Sequence, residues 1–407
     1  MSYDVIVVGA RVAGAATALL LARAGLRVLA VDRVAFPSDT VSSHQVQVPA
    51  AARLARWGVL DRLVAAGTPP AREVRFDSGR VVLTGRYPSV DGVDALYSPR
   101  RTLLDAVLVD AARSAGAEVR ERFRLEELVW RDGMVTGIRG RGARGPAVTE
   151  RARLVIGADG KHSAVAAAVG ARVRWSAPVR TFASYGYWSG VPLPSAELYH
   201  RDGHVVAAFP TGDGLSVVYA ATPLARFAAA RRDLTAHHLT VLDRCGDLGA
   251  RVRSGVLAER LRTTPDLPNV VRASHGPGWA LAGDAGAVMD PVTAQGISHA
   301  LADAESLARA VVAGLAGGRP LGAALVAWER RRDRRLRPMY DLTLRTAALR
   351  PRRTDHALFA ALARQPAEVG RFLGALAGIV PADRYFTPRV VLPLVGAAAL
   401  RRAMSGG

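Results

Sequence analysis

Hydrophobic residues near the N-terminus follow two different spacings in quick succession. Residues 3–9 form a run that is rich in valine and has Asp4 as its one charged residue, which is typical of a parallel strand buried on both faces. Small residues and leucines over 13–24 predict a helix that ends at Gly25. Residues 27–32 predict a second strand, which ends in the carboxylate of Asp32. Together they predict a strand-helix-strand unit with a right-handed crossover.

Later segments predict both further buried strands and an antiparallel sheet. Residues 153–159 predict a buried strand that runs into an Asp-Gly turn, and residues 295–309 predict a helix. The alternating stretches 204–210 and 215–220 predict two antiparallel strands joined by a turn at 211–214. We expect an α/β chain without internal repeats, in which part of the sheet structure is antiparallel.

Length and composition indicate a globular protein of more than one domain. The chain has 407 residues, of which 50% are hydrophobic and 22% charged, and one hydrophobic core rarely serves so many. Cys245 is the only cysteine, which excludes an intramolecular disulfide and any cysteine-based zinc or iron–sulfur site. We therefore expect two packed domains, no metal site and a location in the reducing cytoplasm.

Neither end of the chain predicts an export signal or a membrane span. The first residues lack the basic region of a secretory signal peptide. The longest late apolar run, residues 390–400, is about half the length that a span needs and contains Pro393. We expect no integral membrane segment.

The formal net charge is +20, and almost all of the excess is arginine because Lys161 is the only lysine. The arginines are spread along the chain without a nucleic-acid-binding motif, so we expect a solvated basic surface and no nucleic-acid partner. Arg330 to Arg337 is a denser cluster. It is a candidate contact for an acidic carrier protein or a membrane surface, and a solvated helix face is the alternative.

A dinucleotide-binding motif occupies the first predicted turn. Gly9 and Gly14 are the end glycines of a G-x-G-x-x-G pattern, and Asp32 follows in the second strand. Gly9 would allow the tight turn and Gly14 the close packing of helix on sheet, so that the helix N-terminus faces a pyrophosphate. Asp32 would bind the adenosine ribose. Arg11 replaces the middle glycine, which weakens the motif taken alone.

Two further motifs occur in fixed order downstream. The first is the strand and Asp-Gly turn at 153–163, and the second is the Gly-Asp segment at 279–287 followed by residues 290–298. With all three motifs, the sequence resembles the group A FAD-dependent monooxygenases, the p-hydroxybenzoate hydroxylase-like family, and the related geranylgeranyl reductase and flavin halogenase branches. The resemblance covers about the first 320 residues.

The resemblance implies a set of FAD-binding residues. Asp284 would bind the ribityl hydroxyls, and the turn after Pro291 would bring the N-terminus of the next helix to the flavin pyrimidine. That helix N-terminus would stabilise negative charge on the reduced flavin. The predicted cofactor-binding residues are Gly9, Ala13, Gly14, Asp32, Arg33, His44, Gln45, Arg101, Asp159, Asp284, Pro291, Gln295, Gly296 and Ile297.

Three of these assignments depart from the family pattern. The Asp159-Gly160 motif would serve FAD and NAD(P)H, but the usual arginine after Ser163 is missing, and Lys161 or His162 would have to compensate. Arg101 would reach the pyrophosphate, although Arg100 leaves its register open by one residue. The loop 42–46, which includes His44 and Gln45, would pass beside the flavin ring without the arginine common there.

The expected fold is a Rossmann-type FAD-binding domain with an interleaved antiparallel substrate domain and a helical C-terminal region. We expect the FAD domain at 1–70, 97–171 and 269–320, the covering sheet at 71–96 and 172–268, and the helical region at 321–407. Part of the aromatic set of the covering sheet would line a pocket for a bulky apolar substrate: Tyr185, Tyr187, Trp188, Tyr199, Phe209 and Tyr219.

The resemblance implies a monooxygenase of secondary metabolism. NADPH or NADH would reduce FAD, and a flavin C4a-hydroperoxide formed with dioxygen would hydroxylate or epoxidise a bulky apolar or aromatic molecule. Chemistry would then reside in the cofactor, and the sequence assigns no catalytic acid or base.

Three alternatives use the same domain. A geranylgeranyl reductase-like enzyme would saturate isoprenoid double bonds, but its branch often carries a cysteine near the flavin, and Cys245 lies in the predicted covering domain. A flavin halogenase should show a W-x-W-x-I-P signature and an early catalytic lysine, and this sequence has neither. A non-catalytic flavin-binding protein is the third alternative.

Overall fold

The computed structural model describes residues 2–42 and 44–396. Strands and helices are numbered along the chain. The first sheet has eight strands, two of which form an antiparallel hairpin, residues 124–141, that pairs with β10. Its main path is parallel except for the edge strand β19 and has the order β19-β20-β10-β1-β2-β7. Its strands are β1 (Tyr3–Val8), β2 (Val28–Val31), β7 (Glu118–Arg120), β10 (Val148–Gly157), β19 (His275–Gly276) and β20 (Trp279–Leu281).

Strand β1 is apolar from Val5 to Val8 because these residues contribute to two cores. Val5 and Val7 pack with the helices α1 (Val12–Arg23), α4 (Arg101–Ser114) and α9 (Gly296–Leu315). Ile6 and Val8 face the other side. There they pack with α5 (Ala164–Ala168) and the hairpin of β8 (Arg124–Arg131) and β9 (Met134–Arg141). The predicted strand-helix-strand unit and the predicted helix at 295–309 are therefore confirmed.

The second large sheet is mainly antiparallel, with the order β16-β12-β15-β14-β13-β4-β5, and β17 pairs with β12. Its strands are β4 (Glu73–Asp77), β5 (Val82–Arg86), β12 (Thr181–Ser189), β13 (Ala196–Arg201), β14 (His204–Pro210), β15 (Ser216–Pro223), β16 (Val256–Leu257) and β17 (Arg262–Thr264). The two strands predicted at 204–220 are confirmed as β14 and β15, paired antiparallel.

Alternation along β14 assigns the two faces of this covering sheet. Val205, Ala207 and Phe209 face the C-terminal helices. Val206 and Ala208 pack against α7 (Leu234–Leu242) and α8 (Leu248–Ser254) on the opposite face. The covering sheet is therefore enclosed on both sides.

Helical segments follow the last strand, as the sequence predicts for the C-terminal region. They are α10 (Leu321–Thr346), α11 (Arg353–Leu362), α12 (Pro366–Leu376), α13 (Ala382–Tyr385) and α14 (Pro388–Val395). The remaining elements are β3 (Pro70–Ala71), β6 (Leu96–Tyr97), β11 (Val173–Ala177), β18 (Asn269–Arg272), β21 (Ala287–Val288), α2 (Val48–Arg56), α3 (Leu60–Ala65) and α6 (Phe227–Ala230). Residues 397–400 of the late apolar run lie outside the described residues.

The arginine cluster 330–337 lies on α10 and is largely tied to the rest of the fold. Arg332 is fully buried and pairs with Asp333 at 2.6 Å. Arg335 pairs with Asp303 at 2.6 Å, and the guanidinium of Arg337 lies over the ring of Trp175. The exposed arginines of the cluster without a carboxylate partner in the described chain are Arg330, Arg331 and Arg334. Among the described helices, none is long and apolar enough to cross a membrane.

Candidate flavin and substrate site

The three sequence motifs meet at the carboxyl ends of β1, β10 and β20. Gly9 has φ +95°, and a side chain there would lie 2.4 Å from the carbonyl oxygen of Ala158. A side chain at Gly283 would lie 2.7 Å from Cβ of Ala13. The turns after the three strands therefore touch one another, and glycine is required where they do. This edge of a parallel sheet is where doubly wound folds bind nucleotides.

Arg11 explains how the first motif works without its middle glycine. Its φ of −80° suits any L-residue, so the backbone at this position does not require glycine. Its guanidinium points away from the glycine-containing loop. It binds Asp105 at 2.7 Å and donates to the backbone carbonyl oxygens of Ser38 and Asp39. Arg11 makes no side-chain cap on α1, so the first amides of that helix remain free of intrahelical partners.

Asp32 is buried at the end of β2. One carboxylate oxygen accepts the backbone N–H of Ala10 at 2.7 Å, and the other accepts that of Val34 at 3.0 Å. Each oxygen has two lone pairs, so acceptor capacity remains for ribose hydroxyls. Arg33 follows on the exposed side.

Asp284 and the start of α9 form the next part of the site. The side chain of Asp284 reaches solvent, while surrounding protein atoms raise the pKa of its carboxyl and the Arg101 guanidinium acts in the opposite direction. Gly296 is exposed, and a Cβ there would meet nothing within 4 Å. No side chain caps α9, so the amides of Gly296 and Ile297 lack hydrogen-bond partners within the helix and its cap.

The turn before α9 is held by buried polar contacts. Asp290 accepts the N–H of Val292 at 3.0 Å and the hydroxyl of Thr181, which fixes the turn that begins at Pro291. Ala294 then adopts φ 52°, in the left-handed region. The side-chain amide of Gln295 donates to the carbonyl oxygen of Leu376 at 2.9 Å, so only the backbone of Gln295 is available to a flavin.

Arg101 begins α4 and is oriented by a buried carboxylate. Asp105, one turn later, is completely buried and binds both Arg101 and Arg11. This fixes two guanidinium groups side by side beneath the site. Arg100 points elsewhere, toward Glu259 and over the ring of Tyr187. The geometry therefore favours Arg101 over Arg100 as the residue near Asp284.

Asp159 makes its contacts within its own turn. Its carboxylate accepts the Ser163 hydroxyl and the N–H of Ala164 at 2.7 Å, and burial raises its pKa. Lys161 and His162 both bind Asp266, at 3.0 and 2.6 Å. The two side chains that would replace the missing family arginine are thus engaged with the loop between β17 and β18.

His44 contacts the covering sheet close to the residues predicted to bind FAD. It is completely buried, stacks on Tyr187 and shares a hydrogen bond with the Tyr187 hydroxyl. Burial, with the nearby charges of Arg101, Arg100 and Arg262, lowers the pKa of His44 to about 3, so it is neutral at physiological pH. Its neighbour Ser43 lies outside the described residues.

A pocket lies between the covering sheet and the C-terminal helices. About 140 Å³ of it is open to the centre of a water molecule, so it holds several waters and admits a small ring-bearing molecule. Its walls include the aromatic cluster Phe76, Phe359 and Phe372, with ring centroids 5.0 to 5.7 Å apart. The turn that begins at Pro291 and leads into α9 forms one side of the pocket.

Four buried polar atoms of residues that line this pocket have no hydrogen-bond partner in the described chain. They are the amide nitrogen of Gln45, the amide oxygen of Gln47, Nε2 of His200 and the hydroxyl of Tyr219. Burial raises the pKa of Tyr219 well above its ordinary value, so the hydroxyl keeps its proton. An unpaired buried polar group costs about 1–3 kcal/mol, and polar atoms of a ligand would remove that cost.

Sequence reasoning assigned Tyr219 and Phe209 of these lining residues to a pocket. Gln47 carries no motif, and Arg345, Arg350 and the α11–α12 residues come from the region where the family resemblance ends. Of the other aromatics predicted to line a pocket, Tyr199 contributes to the lining, although its side chain packs with Trp188 on the opposite face of the covering sheet. Successive residues of a strand face opposite sides, so the adjacent positions of Tyr187 and Trp188 on β12 already indicated that the two side chains lie on opposite faces of the covering sheet.

The fold and the converging motifs define a dinucleotide-binding flavoprotein, and comparison with known proteins assigns the family. Residues 2–343 match the family described as an FAD binding domain. The chain therefore belongs to this family, and both the predicted resemblance and the predicted fold class are confirmed. The expected class of FAD-dependent oxidoreductase agrees with it.

Curated relatives match parts of the chain. A protein named FixC from Salmonella typhi is 30% identical over 207 residues, covering 49% of this chain and 45% of FixC. Digeranylgeranylglycerophospholipid reductase 1 from Methanococcoides burtonii is 26% identical over 306 residues, or 74% of this chain and 72% of the reductase. The match thus spans less than half the length of the FixC relative.

Solved structures share the whole fold. The myxobacterial chondrochloren halogenase CndH superposes with a TM-score of 0.78 at 24% identity, covering 98% of this chain and 97% of the halogenase. PqsL from Pseudomonas aeruginosa, described as a probable FAD-dependent monooxygenase, has a TM-score of 0.70 at 21% identity, covering 91% and 99%.

The residues present fit FAD. The free amides of α1 suit a pyrophosphate, the spare acceptor capacity of Asp32 suits a ribose, and the open space at Gly296 leaves room for a flavin ring. Asp284 reaches solvent between these two ends and suits the ribityl chain.

Proposed function

We propose that this protein is an FAD-dependent monooxygenase that uses NADPH or NADH and dioxygen to hydroxylate or epoxidise a bulky apolar or aromatic small molecule. The observation that carries the proposal is the position of the aromatic pocket. Gln45 and the turn beginning at Pro291 line it, and the same turn leads directly into the α9 N-terminus that faces the flavin position.

The cofactor residues have distinct roles in this proposal. When bound, FAD supplies the redox chemistry by accepting hydride from NAD(P)H and activating dioxygen. The residues that would hold it are Gly9, Ala13, Gly14, Asp32, Arg33, Arg101 and Asp284, with the backbone from Pro291 through Gln295 and Gly296 to Ile297. The α9 amides would stabilise negative charge on the reduced ring. His44 and Gln45 would border that ring, and Asp159 would act by shaping the turn beside it.

The pocket residues would position the substrate and exclude water. Buried aromatic walls keep stray proton donors from the reacting atoms. The protonated Tyr219 hydroxyl and the Gln45 amide nitrogen would donate to a polar group of the substrate, and the Gln47 amide oxygen would accept from it. His200 also lines the pocket, and burial lowers its pKa to about 4, so it is neutral at physiological pH. A cytoplasmic role in secondary metabolism would suit such a substrate.

A geranylgeranyl reductase-like activity is the second candidate. It is favoured by the match to the Methanococcoides burtonii reductase, which covers about three quarters of both chains. A halogenase is less favoured, because Lys161, the only lysine, is paired with Asp266.

The two candidates differ in oxygen consumption. The FAD-loaded protein should be incubated with NADPH or NADH, isotopically heavy dioxygen, and a panel of polycyclic aromatic and isoprenoid compounds. The proposal predicts oxygen uptake and one heavy oxygen atom in a product. Saturation of an isoprenoid double bond without oxygen uptake would establish the reductase instead.

A further inference from the structure

The outer wall of the pocket carries three arginines. Arg345 lies near the end of α10, and Arg350 and Arg352 lie in the connection to α11. All three are exposed, whereas the polar residues at the other end of the pocket are buried. The three arginines therefore mark the mouth of the pocket.

These guanidinium groups lack the carboxylate partners that most of their neighbours have. Within the described part of the chain, no salt bridge involves Arg345, Arg350 or Arg352, whereas Arg335 and Arg337 on the same helix pair with Asp303 and Asp341. Asp355 is the one carboxylate among the described lining residues, and it accepts the backbone N–H of Arg352 at 2.8 Å. The mouth thus has a surplus of positive charge.

The inner end of the pocket is uncharged. Gln45, Gln47 and the protonated Tyr219 are neutral, and so is His200 at physiological pH. The guanidinium of Arg345 lies over the ring of Phe386, with its carbon 5.4 Å from the centroid, which places a cation beside an apolar wall. A ligand that satisfies the whole pocket needs a neutral end inside, an apolar body and a negative charge at the mouth.

We propose that the substrate is an amphiphilic anion. Its carboxylate, sulfate or phosphate group remains at the mouth against Arg345 and Arg350, and its neutral end reaches the turn that begins at Pro291. The inference rests on the proposed function, because it takes this pocket as the substrate site, and it goes further by assigning the charge and the orientation of the substrate.

Binding of a matched pair of fluorescent probes tests the charge directly. Anilinonaphthalene sulfonate and N-phenylnaphthylamine share an aromatic body and differ in the sulfonate. We expect the FAD-loaded protein to bind the sulfonate more tightly. The double variant Arg345→Gln/Arg350→Gln should weaken sulfonate binding by about five- to tenfold, because each exposed ion pair contributes modestly, and leave the neutral probe unchanged. Added salt should weaken only the sulfonate.

The control is Arg330→Gln/Arg334→Gln, which removes the same charge from exposed positions of α10, the helix that carries Arg345. It should leave the binding of both probes unchanged. Equal weakening by the two double variants would reduce the effect to general charge and overturn the proposal. Ala207→Phe, which fills the pocket, should abolish sulfonate binding, and undiminished binding to that variant would also overturn it.

Competition identifies the anionic group. Displacement of the sulfonate probe by naphthoate indicates a carboxylate substrate, and displacement by farnesyl phosphate indicates a phosphate. Displacement by neither contradicts the proposal. None of these measurements requires turnover, so a failure here is distinguishable from a failure to incorporate oxygen.

Discussion

The two halves of the site differ in the part of the chain that builds them. The FAD-binding half consists mainly of backbone: turns that admit only glycine, free helix amides and two carboxylates in fixed positions. The pocket half consists of side chains from the covering sheet and from helices more than a hundred residues later. A site formed by backbone depends on a few residues that cannot be replaced. In a pocket formed by side chains, each substitution alters only one part of the lining.

The first prediction from this comparison is that one added methyl group in the FAD-binding half abolishes flavin binding. A Cβ at Gly14 would lie 1.7 Å from the carbonyl oxygen of Gly9, which cannot move without opening the turn. We expect Gly14→Ala to cost at least about 3 kcal/mol of stability and to abolish flavin binding. Flavin absorbance and urea unfolding would measure both effects.

Gly322→Ala is the matched control because Gly322 is also helical and has nothing within 4 Å of the added methyl. It should retain flavin and unfold at the same or a higher urea concentration. A Gly14→Ala protein that binds FAD normally would show that the turn is not a nucleotide site.

The next largest effect concerns affinity rather than folding. Asp284→Ala would remove the charge-assisted hydrogen bond that we propose between Asp284 and the ribityl chain, so we expect FAD to bind about ten- to a hundredfold more weakly. Equilibrium dialysis would measure the change. Asp341→Ala removes an exposed carboxylate that pairs with Arg337 on α10, and it should leave FAD affinity unchanged. If both variants bind FAD as the wild type does, Asp284 is not a cofactor residue.

A third prediction concerns the pH dependence of stability at a buried carboxylate on α10. Glu329 is almost fully buried, and burial alone would raise the pKa of its carboxyl. The His275 side chain, the backbone N–H of Ser274 and the Arg174 guanidinium outweigh that effect and lower the pKa from 4.5 to about 2. A carboxyl group whose pKa is lower in the folded protein than in the unfolded chain stabilises the fold at pH values above the unfolded pKa. This contribution is lost as the pH falls toward the folded pKa. Glu329→Gln should therefore cost about 2 kcal/mol at neutral pH, and the difference should disappear as the pH falls from 4.5 toward 2.

Urea unfolding across that pH range would measure the difference. The exposed pair Glu127 and Arg139 provides the control, because Glu127→Gln should change stability little at any pH. A Glu329→Gln difference that persists undiminished at the acid end would show that the charge of Glu329 is not its cause.

The smallest predicted effect concerns the pocket, and it is a gain in stability rather than a loss. The Tyr219 hydroxyl is buried without a partner, so Tyr219→Phe should raise the stability of the protein by about 1 kcal/mol and leave FAD affinity unchanged. Tyr199→Phe, two strands away on β13, removes a hydroxyl that donates to Glu197 at 2.5 Å, and it should lower stability by about the same amount. Thermal unfolding of the two variants provides the comparison. Destabilisation by both would indicate that Tyr219 is an ordinary core residue.

The sequence predicted the FAD-binding half because its residues act through spacing. Gly9, Gly14 and Asp32 occur in one strand-helix-strand unit, so their pattern predicts their geometry. Even there, the role of Arg11 depended on Asp105, which lies ninety-four positions away and carried no signal of its own. Long-range partners of this kind are determined by packing, which local spacing does not encode.

The pocket could be predicted only in outline. Alternation along β14 and β15 indicated a covering sheet, but which aromatic residues face the pocket depended on register. The unpaired Gln47 and the arginines of the mouth became apparent only when α10 to α12 were seen to close the other side. The cluster 330–337 showed the reverse, since a run of charges on one helix proved to be partly an internal ion-pair network around Arg332.

Anaerobic titration of the purified protein with NADPH and then NADH tests the central claim most directly. We predict a yellow protein that releases non-covalent FAD on denaturation, whose flavin absorbance is bleached by one of the two nucleotides and returns when air is admitted. A protein that takes up no FAD after reconstitution, or whose bound flavin neither nucleotide bleaches, would contradict the account.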